Sequence, residues 1–79
     1  MTRFVETHLF SAEIFALGTD SRTGGHYLST LVSGRMAAAE YEAYFAISDD
    51  DYRRFIDNPK AARDFVERCR MGANAALQP

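Results

Sequence analysis

The chain has 79 residues, nine basic and eleven acidic, a net charge of −2, a single cysteine, and hydrophobic residues at 47% of positions. That length sustains one core and excludes a division into two domains, while ten aromatic residues supply enough bulky apolar surface to exclude disorder. Cys69 alone excludes an internal disulfide and favours a reducing compartment, and no run approaches the ~20 apolar residues of a membrane span, so the expected location is cytoplasmic.

In chain order, residues 3–10 (RFVETHLF) and 12–17 (AEIFAL) are rich in aromatic and β-branched residues and read as two strands or as one bulged strand. Residues 18–25 (GTDSRTGG) collect turn formers and read as an exposed loop. Residues 26–33 (HYLSTLVS) alternate, with Leu28, Thr30 and Val32 on one face and Tyr27, Ser29 and Leu31 on the other, as a strand requires. Met36–Ala39 is compatible with the start of a helical turn. Residues 40–47 (EYEAYFAI) carry Tyr41, Ala43, Phe45 and Ile47 at a spacing of two, the strand period, and this places Glu40, Glu42 and Tyr44 on the outward face.

The second half reads as helical. Ser48 before Asp49, Asp50 and Asp51 matches a helix start, in which the hydroxyl caps free amides and the carboxylates meet the positive end of the helix dipole. Tyr52, Phe55 and Ile56 form its apolar stripe. Asn58 and Pro59 end this helix and begin another, with Asn58 as N-cap and proline at the first position. Ala62, Phe65, Val66 and Cys69 face inward on the second helix, Gly72 is its C-cap, and residues 73–79 fray.

The expected fold is α+β: a three- to four-stranded antiparallel sheet over residues 1–47, followed by two short C-terminal helices over 48–72 packed on one face. The expected core draws on Phe4, Ile14, Leu28, Val32, Tyr41, Phe45, Ile47, Phe55, Phe65, Val66 and Cys69.

For chemistry, His8 and His26 stand apart without a local motif, and Cys69 shares a helix stripe with apolar residues, so it reads as core rather than nucleophile. Paired Cys and His ligands at zinc spacing are absent, and DDDYRRFID lacks the spacing of an EF-hand loop. The expectation is therefore a protein without catalytic residues, metal or cofactor. The arginines at 53, 54, 63, 68 and 70 suggest nucleic acid, but Asp49 and Asp50 precede Arg53 and Arg54 by four residues, and Asp64 likewise precedes Arg68, so helical pairing neutralises them.

Charge is unevenly distributed: residues 1–52 hold eight acids against three bases, and residues 53–79 three acids against six bases. Residues 36–52 hold five acids and no base, with Tyr41, Tyr44 and Tyr52 interspersed. Glu40, Glu42, Tyr44, Asp49, Asp50 and Asp51 are the expected partner-binding residues, presenting carboxylates to a protein complex with a basic nucleic-acid-binding groove. Eight arginines against one lysine, with abundant alanine, suggest a GC-rich genome, hence a bacterium or its phage.

The pattern from MTRFVETHLFSAEIFALG through EYEAYFAISDDDYRRFIDNP resembles the small phage-encoded anti-CRISPR proteins, in particular inhibitors of the type I-C Cascade complex. The resemblance implies a non-enzymatic inhibitor, monomeric or weakly dimeric, that binds the effector complex in a bacterial host and blocks target-DNA binding through an acidic surface. The same features suit a bacterial immunity protein, or an antitoxin, that occludes a toxin's active site.

Overall fold

The computed structural model describes residues 3–33, 40–72 and 76–77. Four strands, β1 (Phe4–Phe10), β2 (Phe15–Asp20), β3 (His26–Ser33) and β4 (Glu40–Ile47), precede two helices, α1 (Asp49–Asp57) and α2 (Arg63–Arg70), with a 3₁₀ turn at Pro59–Ala62 leading into α2. The strands lie in chain order as one four-stranded antiparallel sheet. The α+β expectation holds, including both helices on one face of the sheet. Met36–Ala39 lies outside the described residues.

Residues 3–17 form two strands rather than one, and the second begins later than expected. Residues 11–14 make the turn, in which the Ile14 N–H donates to the Ser11 carbonyl at 3.3 Å. Ile14 has φ +59, a left-handed conformation that costs a residue with a Cβ roughly 1–2 kcal/mol. Its carbonyl is pinned by the Thr30 hydroxyl at 2.7 Å. Expected in the core, Ile14 is instead 49% exposed.

Gly18, Thr19 and Asp20, expected in an exposed loop, belong to β2. Two long-range contacts override their turn-forming composition. The Tyr27 ring lies across Gly18, in space that a Cβ would claim. Asp20 is buried because Arg3, seventeen residues away, grips it through two hydrogen bonds of 3.0 Å each.

β1 carries a bulge at Thr7: Glu6 pairs with Gly18 and His8 with Leu17, leaving one residue over. The face of β2 that presents Phe15 and Leu17 continues through Leu28 and Val32 of β3 and Ala43 and Phe45 of β4. The helices cover it. Phe55 of α1, Ala62, and Val66 of α2 close over Phe15, Leu17 and Leu28, while Cys69 packs with Val32, Ala43 and Phe45. Cys69 is thus buried core, as its helical position indicates.

The helices form for the expected reasons, with two corrections. The Ser48 hydroxyl accepts from the Asp51 amide at 3.0 Å and fixes the start of α1. Asn58 caps nothing with its side chain; its carbonyl accepts from the Ala61 amide at 2.9 Å, because the chain enters a 3₁₀ turn before α2 begins. Arg54 pairs with Asp51 at 3.0 Å, one turn away on its own helix, rather than with Asp50. Gly72, at φ +81, takes the left-handed conformation that ends α2. Tyr41, also expected in the core, is 56% exposed near the β3–β4 end of the sheet. In the tail, the Leu77 amide donates to the Tyr44 carbonyl on the outer edge of β4 at 2.7 Å.

Candidate partner-binding face

Among the described residues no helix or strand lies over the other face of the sheet. Register puts Phe4 and Glu6 of β1, Gly18 and Asp20 of β2, Tyr27 of β3, and Glu42 and Tyr44 of β4 on it. Because Gly18 has no side chain, the Tyr27 ring sinks onto the backbone there and becomes almost wholly buried, as are Ala16, Asp20 and Ser29 on the same face. The Phe4 and Tyr44 rings stack at 4.0 Å, 4° from parallel, and Tyr27 meets each edge-on at 5.2 Å. These three rings make an aromatic floor.

Glu6 and Glu42 border this floor, both exposed. The Tyr44 hydroxyl donates to Glu42 Oε1 at 2.9 Å. Burial pushes the Tyr27 phenol up to about 12, with further contributions from the charges of Tyr44, Glu6 and Glu42. Tyr44 is raised as well, by burial first and then by its hydrogen bond to Glu42. Both glutamates thus act on both tyrosines, the signature of one shared negative field. The Arg3 guanidinium lies 4.7 Å over the Phe4 ring, and its charge is taken by Asp20, whose carboxyl is held below the ordinary 3.8 by that hydrogen-bonded arginine.

The six residues singled out from the sequence divide between two places. Glu42 and Tyr44 stand on the bare face, with Tyr44 half-buried in the floor. Glu40 ends the β3–β4 ladder opposite Ser33, and its side chain lies outside the described residues. Asp49, Asp50 and Asp51 start α1, on the helix side, where Asp49 Oδ1 sits 3.3 Å from His26 Nε2 and Asp51 serves Arg54. Asp50 is exposed. Glu6 and Tyr27 were missed, and Phe4, expected in the core, lies on this face instead, because only strand register reveals that they share a face with Glu42.

The two histidines, isolated in sequence, meet the same tyrosine. The Tyr52 ring stacks on His26 at 3.8 Å and meets His8 edge-on at 6.0 Å. The Tyr52 and Thr7 hydroxyls lie 2.7 Å apart, and Thr7 Oγ1 is 3.0 Å from His8 Nδ1. This polar string ties the start of α1 to β1 and β3. Tyr52 covers one side of the imidazole, and His26 Nδ1 is buried with no hydrogen-bond partner among the described residues. Among the described residues no three His, Cys, Asp or Glu side chains converge to hold a metal.

Two clefts lie elsewhere. One of about 740 Å³ separates the β1–β2 turn from α2, and one of about 210 Å³ lies between Tyr41 and Cys69. Neither is lined by His8 or His26.

Fold and face together define a small α+β domain, a four-stranded meander layered by helices on one side and carrying an acid-rimmed aromatic floor on the other. Comparison with protein-family models, curated proteins and solved structures finds no match to the chain.

Proposed function

We propose that this protein is a non-enzymatic inhibitor that docks the sheet face opposite its helices onto a basic, nucleic-acid-binding groove of a larger protein complex, with the type I-C Cascade effector complex as the partner. The observation that carries the reading is that register puts Glu6 and Glu42 on the same face as the Phe4–Tyr27–Tyr44 floor, with the neighbouring cation Arg3 already bound by Asp20. Carboxylates held on the two edge strands of one sheet compete with phosphate for arginine and lysine, and the rings supply amphipathic contact area at low entropic cost. The acidic centre of the proposed surface thereby moves from the helix start to β1 and β4, and Asp49 and Asp50 stand on the helix side.

The test compares the double variants Glu6→Arg/Glu42→Arg and Asp49→Arg/Asp50→Arg. Each is first shown to be folded by circular dichroism, then assayed for capture of purified Cascade and for restoration of target-DNA binding in a mobility-shift assay. Reversal at Glu6 and Glu42 is expected to weaken capture by about tenfold or more, and reversal at Asp49 and Asp50 by less. A folded Glu6/Glu42 variant that inhibits as well as the parent refutes the surface. Recovery of a nuclease toxin, rather than Cascade, by affinity purification from the host replaces the partner with the one an immunity protein requires.

A further inference from the structure

The cleft between the β1–β2 turn and α2 is on the opposite side of the sheet from the proposed inhibitory face and is built differently. Lys60, Arg63, Glu67 and Arg70 follow one another at spacings of three, four and three, so one side of the 3₁₀ turn and α2 carries three cations and one acid along the cleft. Lys60 and Arg63 are exposed and make no ion pair with the described residues. Val66 forms the floor, while Ile14 on one wall and Met71, 78% exposed, on the other supply apolar surface.

Ile14 is the informative residue. The fold holds a β-branched side chain in the left-handed region and then leaves it half-exposed at the cleft, so the core gains little from it. Asparagine or glycine would adopt the same backbone with less strain. With Met71, Ile14 gives the cleft apolar walls beside the cations.

We propose that this cleft binds an acidic peptide segment of a partner protein, placing an aliphatic side chain between Ile14 and Met71 and carboxylates against Lys60 and Arg63. Charge sets the sign of the ligand. The lining also selects peptide over nucleic acid. Glu13 and Glu67 lie in the same cleft, and a continuous polyanion would run against both, whereas a peptide places neutral groups opposite them. No aromatic ring lines the cleft, so it offers no surface on which a base would stack. The site is independent of the inhibitory reading, which concerns the other face.

The probe is a fluorescein-labelled Glu-Asp-Leu-Leu-Glu-Asp peptide, compared with its Gln/Asn counterpart, its Ser-for-Leu counterpart and labelled oligothymidine, read by fluorescence anisotropy. Amide and methyl resonance shifts of the protein locate the contact. The acidic, leucine-bearing peptide alone is expected to bind, with shifts at Ile14, Lys60, Arg63 and Met71. Lys60→Glu/Arg63→Glu is expected to weaken it about tenfold or more. Ile14→Asn is expected to weaken binding while keeping or raising the melting temperature, an outcome that a purely structural role for Ile14 would not give. Absence of binding, shifts on the bare sheet face instead, or displacement of the peptide by oligothymidine each overturns the proposal.

Discussion

Gly18→Ala is the sharpest test of how the sheet is built. A Cβ at this position would fall 2.5 Å from the Tyr27 hydroxyl and 2.6 Å from ring carbon Cε2, and it would collide with the Val5 carbonyl on the neighbouring strand. Ordinary contact begins near 3.4 Å, so the ring has to move by nearly an ångström and β1 has to shift with it. Moving the ring disturbs two edge-on aromatic contacts at 5.2 Å, each worth about 0.5–1.5 kcal/mol, and overpacking of this kind costs about 1–3 kcal/mol in all. Replacing a strand glycine returns about 0.5–1 kcal/mol through lower backbone entropy. The net expectation is a loss of about 1 kcal/mol, which in a domain of this size lowers the melting temperature by roughly 4–8 °C. Urea and thermal unfolding followed by circular dichroism measure it. Tyr27→Leu in the Gly18→Ala background should recover part of the loss but not all, since the Val5 carbonyl is backbone. A Gly18→Ala protein within about 0.5 kcal/mol of the parent would refute the placement of Tyr27 over Gly18, because surface substitutions show changes of that size.

Acid unfolding reports on Asp20. Its folded carboxyl titrates below the ordinary 3.8, so its contribution to stability is present above that value and is lost as pH falls through the folded one; Asp20→Asn should flatten the stability profile in this acid range, measured by urea midpoints at successive pH values. Tyr27 has the opposite sign at the alkaline end. With a folded value of about 12 against an ordinary 10, stability falls as pH rises from 10 towards 12, and Tyr27→Phe removes that slope while deleting one high-pH step from the ultraviolet phenol titration. Ser48→Ala loses the cap to the Asp51 amide and should cost about 1 kcal/mol in urea unfolding, with Ser48→Gly costing less.

Local periodicity was enough to read β3, β4 and α1 from the residues, because each repeats its apolar positions several times or announces its start with Ser48 and three aspartates. It failed at Gly18–Asp20, where three turn-forming residues became strand through partners far off in the chain: Tyr27 fills the space glycine leaves, and Arg3 neutralises a buried carboxylate. Ile14 and Tyr41 are apolar or aromatic residues whose type suggests the core, but a left-handed turn and the sheet's end leave them exposed. The candidate face was half legible. Glu42 and Tyr44 follow from alternation within β4, whereas Glu6, Phe4 and Tyr27 join them only through strand register and through the bulge that sets the phase of β1. The meeting of His8, Tyr52 and His26 had no local signal at all, since three separate elements supply it.

The bulge at Thr7 has a further effect, on how the chain behaves at high concentration. β1 forms an edge of the sheet, and its sequence, Phe-Val-Glu-Thr-His-Leu-Phe, reads nearly alike from either end. Two regular copies laid antiparallel about Thr7 would set Val5 against Leu9 and Glu6 against His8 on matching sides, a template for edge-to-edge growth. The extra residue breaks that symmetry. Val5 pairs with Thr19 on the helix-covered side, while Leu9 pairs with Ala16 on the bare side, so the would-be partners point to opposite faces. One unpaired threonine thus turns a self-adhesive strand into an edge with no self-complementary register.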